Sequence, residues 1–392
     1  MSTVKVNAIR STSGSSDAIT LNSSSGVTAI NGNGLRAQNL IINGAMQVAQ
    51  RGTSATAEEY ATVDRFELSH GGEDEACTQA QHALTSSDTG PWAKGLRYSY
   101  HITNGNQSSG ADAGDFCMIR YRIEAQDIAA CGWDCTSASS YLTLSFWVKA
   151  SVAQNYYGYV RSDDGTSQSY PFQTGSLSAN TWTKITKTIP GNSNITINND
   201  NGYGLEIHFL PFLGTNYTAS GVTLDAWAPY DSATRMADNT VTWWETDDAT
   251  FEITGVQLEV GSTASEFMFE SYGETLAKCQ RYFTMIASGA DSSTATVSLA
   301  FHYSATSGRA VIHFPTTMRS IPDIYEVSGT DYWKLLQKGG TTDLPDAIHG
   351  GNERLNQAEL ALEDDVGSLV TGEVSLFRIN HANARLGYDA EL

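Results

Sequence analysis

Residues 141–151, YLTLSFWVKAS, show the habit of most of the chain. Leu142, Leu144, Phe146 and Val148 fall on one side of an extended strand, and Thr143, Ser145, Trp147 and Lys149 on the other. The stretches TWTKITKTIPG (181–191), GYGLEIHFL (202–210) and FEITGVQLEVG (251–261) repeat the alternation, with turn signals such as Asp164-Gly165 and Asn201-Gly202 between them. The pattern predicts an all-β domain over residues 37–271, built as two antiparallel sheets packed face to face. Helical spacing is convincing only where Tyr272, Leu276, Cys279 and Phe283 stand at i, i+4, i+7 and i+11, which predicts a short linking helix over 272–283. One short helix is marginal alone, so it must pack on a neighbouring domain or on symmetry-related copies.

Beyond the helix, TATVSLAFHYS, RAVIHFP, PDIYEV, AELALEDD, EVSLFRI and RLGYDAEL return to strand alternation, predicting a second, smaller β-sandwich domain over 284–392. Residues 1–36 differ. They mix small polar residues with isolated β-formers, and only 18–21 and 27–30 read as short strands. Too few large apolar groups are present to bury a core, so this extended segment must order by intertwining with identical copies or docking on a larger assembly, with disorder as the alternative.

Composition sharpens this picture. A chain of 392 residues exceeds one ordinary core, and 40% hydrophobic with only 17% charged residues and 35 glycines is a β-rich, turn-rich balance. The 43 acidic against 23 basic residues give a net charge of −20, with no basic stripe, which argues against nucleic acid as a partner. No apolar stretch has signal-peptide or membrane-spanning length, so neither export by its own signal nor membrane insertion is expected. The five cysteines, Cys77, Cys117, Cys131, Cys135 and Cys279, are odd in number and scattered, which fits structural thiols in a reducing cytoplasm. CGWDC (131–135) offers half a metal site without a second pair at zinc spacing, so no metal is expected there and a local disulfide is the other alternative.

Several stretches together resemble the tail-fibre and receptor-binding proteins of bacteriophages, particularly those of marine and cyanobacterial phages. NLIINGAMQVAQRGTS (39–54) with VDRF (63–66) resembles the entry strand of the fibre domain. FWVKAS (146–151), TWTKITKTIPG (181–191) and ITGVQLEVGSTASEF (253–267) resemble carbohydrate-binding-module-like jelly rolls. YGETLAKCQRYF (272–283), MRSIPDI (318–324) and the terminal GYDAEL (387–392) resemble the C-terminal part of such fibres. Residues 1–36 resemble their N-terminal attachment segments. The resemblance implies a jelly-roll sandwich within a homotrimeric virion protein, made in the host cytoplasm and displayed on the particle. Residues 1–36 would face other tail or baseplate proteins, and the C-terminal domain would face the host and its envelope polysaccharide or lipopolysaccharide. It supplies no catalytic set.

A glycan site needs flat apolar surfaces for the C–H face of a sugar ring, ringed by polar groups. The aromatic candidates in the first domain are Trp92, Trp133, Trp147, Tyr157, Tyr159, Trp182, Trp227, Tyr230, Trp243 and Trp244, most of which would equally serve as core. Tyr157 and Tyr159 share a strand face beside the polar RSDDGTSQS turn, and Trp227 and Tyr230 sit in the loop-like AWAPYDS stretch. The terminal domain adds Tyr325, Tyr332, Trp333, His349 and His381, with Tyr332 and Trp333 foremost.

Catalytic signatures are missing. No GxSxG, GxxxxGK, GxGxxG or HExxH occurs, and the 8 histidines form no close pair along the chain. Asp163-Asp164, Asp247-Asp248 and Glu363-Asp364-Asp365 read as solvated turns, with calcium ligation as the weaker alternative and a carboxylate pair for glycoside cleavage behind it. Asn194 and Asn216 head chance glycosylation patterns and read as turn asparagines. The expectation is a non-enzymatic attachment protein that needs no cofactor. A purely structural head or tail fibre is the alternative, and a polysaccharide depolymerase stands behind both.

Overall fold

In the computed structural model the described residues are 38–291, 294–345, 347–363 and 367–392, together with four short strands within residues 1–37. Those four strands, Ala8–Ile9, Ile19–Asn22, Gly26–Ile30 and Asn33–Gly34, pair in order as a small antiparallel sheet. The chain divides into two compact units, Met1–Ser271 and Tyr272–Leu392.

The first unit is a jelly-roll sandwich. Its main strands are β1 (Phe66–Gly71), β2 (Thr78–Ala83), β3 (Tyr98–Thr103), β4 (Phe116–Glu124), β5 (Tyr141–Ala150), β6 (Asn155–Ser162), β7 (Gln168–Ser176), β8 (Thr183–Pro190), β9 (Tyr203–Leu213) and β10 (Thr250–Val260). One sheet runs β8-β5-β10-β3-β2 and the other β7-β6-β9-β4-β1, each extended at one edge by a two-residue strand. All pairings are antiparallel. The alternation in β5 is realised as read: Leu142, Leu144, Phe146 and Val148 are buried between the sheets with Ile207, Phe209, Phe172, Phe251 and Ile253. Phe146 meets Phe209 edge-on at 4.9 Å between ring centroids. The Asp164-Gly165 turn makes the β6–β7 hairpin, with Gly165 at φ +67°. Asn201-Gly202 makes no hairpin, because β8 and β9 on either side of it belong to different sheets.

The stretch 39–46 is a clamp between the entry segment and β10. Asn39 accepts from the backbone of Ile41 and Leu258 and donates to the carbonyl of Val256 at 3.2 Å. Leu40 donates to Leu258, and Val256 donates to the carbonyl of Gly44. Gly44 is required by this close approach, since a Cβ would stand 2.0 Å from the Val256 oxygen. Asn43, at φ +61°, holds the turn by donating to the carbonyls of Val48 and Asp64. At the end of β10, the buried Glu259 accepts from the backbone and hydroxyl of Ser265, both at 2.8 Å, and so fixes the chain that leaves the sandwich.

The second unit opens with helix α1 (Tyr272–Cys279), which is shorter than the 272–283 expected. The backbone of Tyr282 turns back onto Cys279, and Phe283 begins a strand, so the fourth position of the helical pattern is a strand residue instead. A three-stranded sheet of Phe283–Ser288, Arg385–Asp389 and Asp323–Val327 packs with a seven-stranded antiparallel sheet whose central strands are Val374–Ile379, Thr296–His302 and Ser307–His313. Phe377, Ile379, Leu360 and Trp333 from the large sheet and Leu386 and Tyr388 from the small one share one core. Among the described residues no helix is long and apolar enough to cross a membrane. All five cysteines are free thiols.

Candidate functional site

Two aromatic groups lie on opposite outer faces of the N-terminal sandwich. On the sheet containing β6 and β9, Tyr157 and Tyr159 share a face, as their strand parity suggested, and Tyr230, expected beside Trp227, joins them instead, with Tyr217, Leu224 and Met236 from the loop after β9 packed over them. The arrangement is closed on itself. Tyr159 is only 1% exposed and stacks on His208 at 4.1 Å, so it offers a ligand no face. The Arg161 guanidinium lies 4.3 Å from the centre of the Tyr230 ring, and Arg235 covers Tyr217 at 4.4 Å. Between them runs a buried ion-pair network. Arg122 donates to Glu206 at 2.9 Å and lies 3.2 Å from Glu67, Arg161 reaches Glu206 at 3.3 Å, and Arg120 pairs with Glu67. Burial works to raise the Glu206 carboxyl, but hydrogen bonds from His208 and Arg122 hold it well below the usual carboxylate range. Burial also pushes His208 below its ordinary value.

Trp227 is a plug at the sandwich edge: its indole N–H donates to the Pro190 carbonyl at 2.6 Å, and its ring meets Tyr170 at 5.5 Å. Trp243 and Trp244 are fully buried, Trp133 donates to the Ser140 carbonyl, and Trp182 donates to Asp88 at 3.0 Å. In the second unit Trp333 is fully buried and donates to Ser328, which removes it as a ligand platform, while the half-buried Tyr332 stacks on His381 at 4.2 Å. Tyr325 meets Phe283 edge-on, and the exposed His349 lies 3.7 Å from Glu363.

The other outer face carries a cleft. The loop between β2 and β3 folds over the sheet because Asp88 accepts from the Trp182 indole, the Thr85 backbone and Lys149, contacts that outweigh burial and hold its carboxyl well below the usual range. Where this loop meets the segment after β10, a cavity of about 530 Å³ opens, walled by Trp92, Tyr98 and Phe269 and floored by Ala45, Leu84 and Leu96. Polar groups at its rim are Gln47, Arg97 and Glu270. Trp92 begins a single 3₁₀ turn after Pro91, and the turn ends at Gly95 with φ +95°. A side chain at Gly95 would begin 3.1 Å from the Phe269 ring and would have to take up the left-handed φ, so glycine leaves the turn unstrained and Phe269 in place. The Arg97 guanidinium stands 3.9 Å from the Trp92 ring centre and donates to the carbonyls of Trp92 and Leu96, so it braces one face of the indole. Phe269 is 49% exposed, so its ring face is open to solvent at the cleft mouth.

Of the sequence candidates, only Trp92 lines this cleft. Tyr98, Arg97 and Phe269 were missed, although Phe267 and Phe269, two aromatics at i, i+2 in the loop after β10, are a signal that could have marked one wall.

Two of the acidic pairs sit in turns: Asp163 is paired with Arg161, Asp164 accepts from Asn198, and Asp247 and Asp248 are exposed; Glu363, read as part of a turn, instead ends the strand Gln357–Glu363 opposite Ser307 and Ala347. Asp364 and Asp365 lie outside the described residues. Two groups have metal-ligand chemistry among the described residues, His82 with His101 and Glu252, and Glu58 with His70 and Glu73. The fold thus makes a histidine pair that linear spacing does not show.

No family model matches the chain, and no curated protein matches it. Among solved structures it is similar to the enzymatically active domain of tailspike protein 4 of bacteriophage CBA120, with 13% identity and a TM-score of 0.29 over 57% of this chain and 21% of that one, so that the match spans about a fifth of that chain. It is also similar to the N-terminal cellulose-binding domain of Cellulomonas fimi β-1,4-glucanase C, with 10% identity and a TM-score of 0.27 over 56% of this chain and 99% of that one. The tandem CBM22 domains of Paenibacillus barcinonensis Xyn10C share 8% identity over 91% of this chain and 98% of theirs, with a TM-score of 0.27. What each of these binds is a property of that protein.

Proposed function

We propose that the N-terminal sandwich binds a glycan, without cleaving it, in the cleft of Trp92, Tyr98 and Phe269. The observation that carries this reading is the cleft itself: exposed flat aromatic surface beside polar side chains, in a cavity of about 530 Å³. Sugar rings present one apolar C–H face and a rim of hydroxyls. Trp92 and Phe269 suit the first, while Arg97, Gln47 and Glu270 suit the second.

Together with the sequence resemblance, this supports a phage virion fibre protein that holds the particle at a host envelope polysaccharide or lipopolysaccharide, attached to the particle through residues 1–36. Single sugar sites are weak, and linked copies raise avidity by about 10²–10⁴. A homotrimer fits a second feature. The outer face of the large C-terminal sheet exposes Leu299, Phe301, Val311 and Val374 on three adjacent strands, with Leu299 opposite Leu376 and Phe301 opposite Val374. An apolar patch of this kind on a strongly acidic chain suits burial against other copies.

The test is a glycan array probed with the full-length protein and with Trp92→Ala. Binding to a defined set of glycans that the variant loses supports the reading. Binding equal in both places the site elsewhere, and no binding at all leaves a structural fibre role. Release of reducing sugar ends from a bound polysaccharide would overturn the non-catalytic part.

A further inference from the structure

We infer that His82, His101 and Glu252 form a binding site for a first-row transition dication such as Zn²⁺ on the outer face of the N-terminal sandwich. The three residues stand on adjacent strands β2, β3 and β10, with Glu252 directly opposite His101 and the two imidazoles 5.0 Å apart between ring centres. Their donor atoms lie within 4.8 Å of one another. His82 Nδ1 is 3.3 Å from one Glu252 oxygen and His101 Nδ1 is 3.3 Å from the other. That matches the edge of about 3.3 Å for a tetrahedron of ligands about 2.0–2.1 Å from a central zinc.

A second observation points to a cation as the ligand of these groups. His101 Nδ1 is buried and, despite its closeness to the carboxylate, lacks the alignment of a hydrogen bond. Its other ring nitrogen is 3.1 Å from the Thr103 hydroxyl. The tautomer that donates from Nε2 to Thr103 leaves the Nδ1 lone pair without a donor beside a carboxylate oxygen, an arrangement that a cation bound by both atoms satisfies. A metal-bound histidine is commonly oriented in this way through its second nitrogen. The His82 side chain is 49% exposed, which gives an ion an entry and leaves a coordination position open to solvent. Glu252 is oriented from its far side by the Ser99 hydroxyl at 2.7 Å and by Lys149 at 2.9 Å. The Lys149 charge opposes a dication and is offset by Asp88 at 3.1 Å. Two imidazoles and one carboxylate favour zinc, nickel or cobalt over the all-oxygen preference of calcium and magnesium.

Full-length protein stripped with a chelator and titrated with Zn²⁺ by calorimetry, and with Co²⁺ by visible absorption, tests the assignment. The expected result is one equivalent per chain, with His82→Ala and His101→Ala each weakening binding by about tenfold or more, and Lys149→Met tightening it. If His101→Ala does not fold, His82→Ala decides alone, because its half-exposed side chain leaves the core untouched. No uptake by the wild-type protein, or uptake unchanged by the histidine substitutions, overturns the site, the latter shifting attention to Glu58, His70 and Glu73.

Discussion

Replacing Gly44 by alanine tests the clamp that joins the entry segment to β10. The added Cβ would stand 2.0 Å from the Val256 carbonyl oxygen, a distance that forces the turn at 39–46 off the strand. The bonds at stake are Val256 N–H to the Gly44 carbonyl, 2.9 Å, Asn39 to the Val256 carbonyl, 3.2 Å, and Leu258 N–H to Asn39, 3.0 Å. At about 1 kcal/mol net per hydrogen bond the loss comes to about 3 kcal/mol. Seven of the 8 tryptophans lie in the first unit, so tryptophan fluorescence in urea reports mainly on its unfolding. With a urea dependence of about 1–3 kcal/mol per molar, the midpoint should fall by about 1 M or more. Gly273→Ala, at a helical position with no atom within 4 Å of the new Cβ, is the control and should leave that transition in place. A Gly44→Ala midpoint within about 0.2 M of wild type would show that the clamp geometry is wrong.

Further outcomes follow from the same structure. Burial works to raise Glu252, but His101, Lys149 and Ser99 bring its carboxyl down to about 2 from an ordinary 4.5. The resulting stability is present above pH 4.5 and lost as pH falls toward 2, a change of about 3 kcal/mol at most, which Glu252→Gln should remove from the acid-denaturation profile. An unaltered profile in the variant would refute the linkage. Phe301→Glu, placing a charge in the exposed C-terminal sheet face, should lower the oligomeric state seen by light scattering, whereas an unchanged mass would clear that face of any role in assembly. Tyr159→Phe should leave glycan affinity unchanged, because the ring is already stacked against His208. A tenfold loss would move the site to that face.

Much of the fold was legible because alternation fixes which side of a strand is apolar. β5, β8, β9 and β10 appear where the pattern placed them, as do the strands read at 294–304, 309–315, 322–327, 358–363, 373–379 and 385–389, whereas Trp333–Leu336 and Ala347–Gly351 were not read. Alternation does not say what lies over a strand's second face. Tyr159 reads as a surface residue until the loop carrying Tyr217, Tyr230 and Met236 covers it. Trp333 looks like an available aromatic at a strand end, yet it points into the second core. The strings that carry the family resemblance prove to be structural: Asn39, Asn43, Gly44 and Glu259 hold the entry and exit of the sandwich. The cleft was mostly hidden because Trp92, Arg97 and Phe269 meet only after a loop and a chain segment more than 150 residues apart fold together. The pairing of His82 with His101 likewise depends on strand neighbours, which linear spacing cannot show.

The most direct test of the glycan-binding account is calorimetric titration of the full-length protein with a glycan retained on the array, set against Phe269→Ala. Phe269 is half exposed and contributes to the cleft wall without belonging to either sandwich core. Saturable binding by the wild-type protein, weakened about tenfold or more in the variant, is the predicted result, since removing an aromatic platform costs on the order of 1.4 kcal/mol. Equal affinity in the two proteins would contradict the account.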